Sequence, residues 1–191
     1  MRRIKLETKK VKVDLSSAYR LLYPRQVVLV SCMDRAGKAN VITLAWSMPA
    51  SIVPPMLATG IAPRRYSHQL IEETKEFVVN IPTMDFLKET LLCGRMTGRE
   101  YDKFKEARLT PLRAKMVQPP IIKECVAHLE CKLRQRISTG DHTIFIGDIL
   151  MAYANEGVFV RRLDLKRMKP IYHMGGDDFV TLSPEVITPV M

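Results

Sequence analysis

The chain has 191 residues, 47% of them apolar and 26% charged, with a formal charge of +10 from 30 Lys and Arg against 20 Asp and Glu. That balance is globular rather than disordered, and the length suits one domain that buries about 70% of the surface its unfolded form exposes. A membrane-spanning helix is excluded: the longest apolar stretch, near Ile144–Ala154, is interrupted by Asp148, far short of the ~18 residues a bilayer requires.

The N-terminus, beginning Met1-Arg-Arg-Ile-Lys, has no apolar signal core, so the cytoplasm is the expected location. Asp14 or Ser16 offers a capping oxygen for a short helix that Pro24 ends. Gln26–Met33 is a nearly continuous apolar run rich in valine, which predicts a strand covered on both faces. The turn chemistry of Asp34-Arg-Ala-Gly37 returns the chain as a second strand, Ala39–Trp46. Met48–Pro55 holds three prolines and is expected to be irregular. A third strand follows over Met56–Ala62, then a short helix over Ser67–Thr74 and a strand over Glu76–Ile81. Thr83 is placed to cap a helix over Asp85–Cys93, and Gly94–Phe104 reads as a loop that becomes briefly helical. Val117–Ile122 begins a return to strand. Glu124–Ile137 alternates, with Val126, His128, Glu130, Lys132 and Arg134 opposite its apolar face, as a half-exposed antiparallel strand would. Gly140-Asp141 turns into a long strand, His142–Ala154, and Phe179–Leu182 is the strongest strand signal of the tail.

Many strands joined by hairpin turns, with few helices, point to a barrel or sandwich. The regular strand–helix alternation of a doubly wound sheet is missing. Gly94-x-x-x-Gly98 is followed by Arg-Glu, so neither a phosphate-binding P-loop nor a dinucleotide fingerprint is present. None of the four cysteines forms a C-x-x-C pair; Cys125 and Cys131, six apart, are expected on one strand face with Ala127, Leu129 and Leu133 as small buried hydrophobes. Four histidines without helical H-x-x-x-H spacing predict no metal centre. Part of the positive charge lies in two runs, Arg2–Lys12 and Arg161–Lys169. Nucleic acid is disfavoured as a partner, because only 7% of residues are aromatic and no recognition helix is evident. The same field would draw phosphate-bearing cofactors.

Between about residues 20 and 175 the chain carries, in order, Gly37 and Asn40, Trp46, Pro54-Pro55, Arg65-Tyr-Ser-His68 and Phe77-Val-Val-Asn-Ile-Pro82. Then come Gly94-x-x-x-Gly-Arg-x-x-Asp-Lys-Phe104, Glu124-Cys125, Leu129-Glu-Cys131 and Gly140-Asp-His-x-Ile-Phe-Ile-Gly-Asp148. In that order they resemble the flavin reductase-like family, which includes flavoredoxins and small flavin or ferric reductases. The resemblance implies a mainly β, Greek-key, FMN-binding split barrel with a basic N-terminal extension and a C-terminal tail. It also implies a homodimer holding FMN near its interface, largely through main-chain groups. The implied reaction is hydride transfer from NAD(P)H to the flavin, with electrons passed to free flavin, ferric complexes or a protein. Two alternatives stand beside it: a flavoredoxin-like carrier that does not oxidise NAD(P)H itself, and a basic nucleic-acid-binding module.

By the same resemblance Asn40, Thr43, Leu44, Ala45 and Trp46 lie beside FMN, with Trp46 toward the ribityl-phosphate end. Read alone, Trp46 also suits a core and Asn40 a hairpin. Thr59 and Gly60 are implied to line the ring, where glycine permits close backbone approach. Ser67 precedes a helix whose N–H groups favour phosphate, although a simple cap is equally open. Asn80 either bonds the cofactor or ends its strand before Pro82. Lys103 matches a cofactor-facing position, or is an exposed lysine among Arg99, Lys105 and Arg108; Arg99 is a second phosphate candidate. His142 matches a family histidine near the flavin and the incoming nicotinamide, and is the catalytic candidate. Asp141 and His142, as strand neighbours, are expected to point to opposite faces, and a Ser138–His142–Asp148 triad has no geometric basis. Tyr172 resembles a C-terminal aromatic that packs on the flavin.

Overall fold

The computed structural model describes residues 9–188; most of the Arg2–Lys12 run lies outside the described residues. After a short 3-10 helix, Leu15–Leu22, come strands β1 (Arg25–Gln26), β2 (Val28–Met33), β3 (Ala39–Leu44), β4 (Ser47–Ser51) and β5 (Met56–Ile61). Helix α1 (Tyr66–Thr74), strand β6 (Glu76–Ile81) and helices α2 (Leu87–Arg95) and α3 (Lys103–Glu106) follow. The two-residue strands β7 (Pro111–Leu112) and β8 (Ile121–Ile122) precede a long hairpin, β9 (Ala127–Thr139) and β10 (His142–Ala154), and the chain closes with β11 (Tyr172–Gly175) and β12 (Asp178–Val180).

Seven of these strands form one antiparallel sheet in the order β3-β2-β6-β9-β10-β5-β4. Its two outermost strands, β3 and β4, are separated in sequence by only Ala45 and Trp46. The ends of the sheet are therefore forced together and the sheet must roll up. The Gly60 N–H donates to the Trp46 carbonyl at 2.8 Å, carrying the β4–β5 pairing into the link, while β3 keeps β2 as its ladder partner. The result is a split barrel.

Val28, Val30, Ile42, Leu57, Phe77 and Phe145 fill the barrel. The alternate residues of β2 and β3, Leu29 and Val41, point outward into a second core with Cys93, Phe104, Ile122 and Cys125 under α2 and α3. That double cover explains the unbroken apolar run of β2.

Several expectations change. Ser47–Ser51 is a strand despite Pro49, because β4 is an edge, where a missing N–H costs no ladder bond; its pairing with β5 is irregular between Pro49 and Ser51. Cys125 precedes β9 and sits in the outer core, whereas Cys131 lies inside the barrel, so the two do not share a face. All four cysteines are free and buried. Asp14 caps its helix through the Ser16 N–H at 2.7 Å, while Thr83 makes no capping bond. No helix among the described residues is long and apolar enough to cross a membrane.

The largest departure is on β9, where His128 and Glu130 are buried rather than solvated. The segment before β8 covers Glu130, which accepts from the N–H groups of Lys115 (2.9 Å) and Met116 (2.5 Å) and from the Tyr153 hydroxyl (2.8 Å). His128 Nδ1 lies 2.8 Å from Asn80 Oδ1, an amide oxygen that can only accept, which fixes the neutral ring with its proton on Nδ1. Burial pulls the His128 pKa from 6.5 down to about 4. The unfolded chain thus binds a proton near pH 6.5 that the folded chain refuses until about pH 4. Stability from this residue is fully present above the ordinary histidine value and is lost as pH falls through that window. Urea midpoints are expected to decline between pH 6.5 and 4, and His128→Gln, which keeps a donor for Asn80, to flatten that decline; equal declines in both proteins would refute this account.

Candidate flavin site

Because β3 is an edge strand, its outward main-chain groups need partners other than a neighbouring strand. The Lys103 ammonium supplies one, donating to the carbonyls of Val41 (2.9 Å) and Cys93 (2.8 Å), and so ties β3 to α2. The Thr43 hydroxyl donates to the Thr90 carbonyl. Helix α2 comes this close because Gly94 faces Thr43: a Cβ there would lie 3.2 Å from the Thr43 Cβ.

Past this tie the end of β3 borders a cavity of about 660 Å³, lined by Thr43, Leu44, Ala45, Trp46 and Gly60. Tyr19, Tyr23, His142, His173 and Phe179 give it an aromatic rim. The Trp46 indole lies against the His142 ring with centroids 4.5 Å apart, and its N–H donates to the Tyr23 hydroxyl at 3.3 Å. His142 Nδ1 lies 2.7 Å from Asp141 Oδ1. That bond, the leading cause, holds the Asp141 carboxyl below its ordinary pKa. The pair forms because Asp141 is in the turn before β10, where strand alternation does not apply.

The other end is basic. A smaller cavity of about 130 Å³ shares Ile42, Arg64 and Arg65 with the large one and adds Ser67, Gly98 and Lys103. Helix α1 starts here without a side-chain cap. Arg64 and Arg65 are exposed and form no ion pair among the described residues. Burial lowers the Lys103 pKa, with the neighbouring Cys93 and Cys32 acting the other way. Aromatic faces and main-chain edges at one end, and helix N–H groups with cations at the other, suit a flat heterocycle with an anionic tail.

Residues 19–174 match the family described as Flavin reductase like domain. The chain belongs to that family. An uncharacterized protein of Archaeoglobus fulgidus is 36% identical over 168 residues, 88% of this chain and 94% of its own. A flavin reductase of Pseudomonas putida is 30% identical over 127 residues, 66% of this chain and 71% of its own. Among solved structures, the flavoredoxin from Methanosarcina acetivorans superposes with a TM-score of 0.85 at 28% identity, covering 95% of each chain.

In this flavin reductase-like chain Thr43, Leu44, Ala45, Trp46, Gly60 and His142 line the large cavity, and Ser67 and Lys103 the basic one. Trp46 stands at the aromatic end and is absent from the lining of the basic cavity. Lys103 is buried, not a solvated helix lysine. Ser67 lies inside α1 rather than capping it, and its Oγ accepts from Asn40 Nδ2 at 2.8 Å. Asn40 itself is buried behind the wall, pressed so close to Gly98 that a Cβ there would fall 2.1 Å from its Oδ1. Thr59 is buried and shares a 2.8 Å hydroxyl contact with Ser47, outside the large cavity.

Three candidates lie elsewhere. Asn80 is fully enclosed in the outer core, where it donates to the Leu29 carbonyl and Ser31 hydroxyl (3.1 Å each) and accepts from the Ile122 N–H and His128. Arg99 donates to Gln69 Oε1 at 3.0 Å and lies over the Tyr66 ring, outside both cavities. Tyr172 does not line the large cavity; its neighbour His173 does. Sequence reasoning also passed over Tyr19, Tyr23, Arg64 and Phe179. The consecutive Arg64-Arg65 before a helix was the one usable signal among them.

Lys103→Met is expected to lower the unfolding free energy by about 1–3 kcal/mol, because the Val41 and Cys93 carbonyls lose their donor in a buried place. Urea denaturation measures this, and an unchanged midpoint would show that the ammonium ties nothing together.

Proposed function

We propose that the protein binds FMN in the large cavity and works as an NAD(P)H-dependent oxidoreductase of the flavin or ferric reductase type. The observation that carries this reading is that the two cavities share Ile42, Arg64 and Arg65 as walls, which sets an aromatic, amide-edged slot beside a cationic helix start. The volume of about 660 Å³ lies within the ~300–1,000 Å³ usual for small-molecule sites. Bound FMN supplies hydride acceptance and electron delivery. The chain's own groups hold and orient it: the free edge of β3 offers main-chain donors and acceptors, while Trp46 and His142 provide ring faces. Arg64, Arg65 and the first N–H groups of α1 take the phosphate. Asp141 fixes the His142 ring beside the place where a nicotinamide would approach.

A second reading, a carrier that receives electrons from partner proteins, is supported by the likeness to the Methanosarcina flavoredoxin at 28% identity. We further infer a cytoplasmic homodimer. Leu21, Leu22, Ile52 and Val53 are each at least two-thirds exposed, and such apolar surface favours a partner. Four free thiols suit a reducing compartment.

The purified protein is expected to be yellow and to release FMN on denaturation; colourless protein that takes up no FMN would sink the reading. Trp46→Ala should weaken retention of FMN and riboflavin alike. Replacing Arg64 and Arg65 by Gln should weaken FMN by about tenfold or more while leaving riboflavin nearly unchanged, the usual worth of charge-assisted bonds to phosphate. Anaerobic bleaching by NADH or NADPH identifies the reductase, and no bleaching with either identifies the carrier.

A further inference from the structure

Two walls of the large cavity come from outside the seven-stranded sheet. One is the C-terminal end of α2, with Leu91 and Arg95; the other is the hairpin β11–β12, with His173, Asp177 and Phe179. Arg95 Nη2 donates to Asp177 Oδ1 at 2.6 Å and so joins the two. No other hydrogen bond or ion pair among the described residues links α2 to the hairpin.

Elsewhere the hairpin is held lightly. Strand β12 pairs only with β11, and β11 pairs with β1 at two positions, where Arg25 faces His173 and Gln26 faces Tyr172. The turn between β11 and β12 contains Gly175 and Gly176 at φ of +115° and +59°, the left-handed region that glycine enters freely. A Cβ on Gly176 would meet nothing within 4 Å, so space is open beside the turn. His173 Nε2 lies 2.9 Å from the Gly176 carbonyl, a bond that shapes the turn just before Asp177. The charges of Arg95 and Asp177 are spent on each other, and their side chains are 58% and 71% exposed. Exposed pairs of this kind are weak and are screened by salt, so thermal motion opens them readily.

We propose that Arg95 and Asp177 form a clasp that closes the hairpin onto α2 and sets how fast flavin enters and leaves the large cavity. The proposal rests on the FMN reading and adds to it a control on exchange. When the pair parts, the two-glycine turn lets Asp177 move off while β11 stays paired with β1. The pair joins wall to wall rather than wall to ligand. Breaking it therefore changes the path and leaves the contacts to the flavin in place, so entry and exit quicken together at nearly constant affinity.

The test is stopped-flow fluorescence on protein loaded with FMN or riboflavin, with release followed on dilution and uptake on mixing with free flavin. Asp177→Asn and Arg95→Gln should each speed riboflavin release and uptake by about two- to fivefold, while changing its dissociation constant less than about twofold. FMN release should quicken in the same variants. The exchanged pair, Arg95→Asp with Asp177→Arg, should return the rates toward those of the original chain. Riboflavin lacks the phosphate, so its release separates the clasp from the cations at the start of α1. Raising the salt from about 0.1 M to about 1 M should speed that release in the original chain and not in Asp177→Asn. The clasp is overturned by unchanged rates in both single variants, by lost affinity with unaltered uptake, by an exchanged pair that restores nothing, or by equal salt responses. Protein that takes up neither flavin would overturn the FMN reading itself, whereas uptake with unaltered rates removes the clasp alone.

Discussion

An unpaired strand edge governs this structure. Rolling a seven-stranded sheet through the two-residue link Ala45-Trp46 brings its ends together without zipping them, and β3 is left with one ladder neighbour. An open edge is a liability in water and an invitation to aggregation. Here the Val41 carbonyl is satisfied within the chain by Lys103, and beside it Gly94 lets α2 come close enough for the Thr43 side chain to bond the Thr90 carbonyl. The second half of the edge borders the large cavity. The fold thus creates main-chain groups that require a partner and places them where a flat molecule can supply one.

The cations near the site divide by the same logic. Lys103, buried and bonded to two carbonyls, has its charge committed to the scaffold, and burial lowers its pKa. Arg64 and Arg65, on the surface before an uncapped helix, form no ion pair among the described residues. Arg99 is committed in a third way, to Gln69 and the Tyr66 ring. Net charge alone does not distinguish these roles, because each depends on which polar atoms the backbone brings within 3 Å.

Much of the scaffold was legible in the chain itself. Valine runs and hairpin turns located β2, β3, β5, β6 and β10 to within a residue or two, since local periodicity and turn chemistry act over a few positions. The end of β3, singled out in the sequence, borders the large cavity. What stayed hidden depends on contacts far apart in sequence. His128 and Glu130 alternate as solvent-facing residues would, yet the Lys115–Met116 segment, more than ten residues away, bonds Glu130, and Asn80 and the Tyr153 ring meet His128. Asn80 was open either as a cofactor contact or as a plain strand end, and Leu29, Ser31, Ile122 and His128 use its amide instead. Tyr19 and Tyr23 joined the site because a helix with no buried residue of its own lies across it through its rings. His173 entered in place of Tyr172 through the pairing of β11 with β1, a register that no local pattern announces.

Trp46 concentrates the consequences of this geometry. It sits at the corner where the sheet's ends meet, with its carbonyl bonded to Gly60 and its indole between His142 and Tyr19. Gly60 lies close to the ring: a Cβ there would come into contact with the indole, 3.4 Å from Cε3. A movement of the ring would disturb the His142 stack and the bond to Tyr23 together, because both depend on one side-chain position.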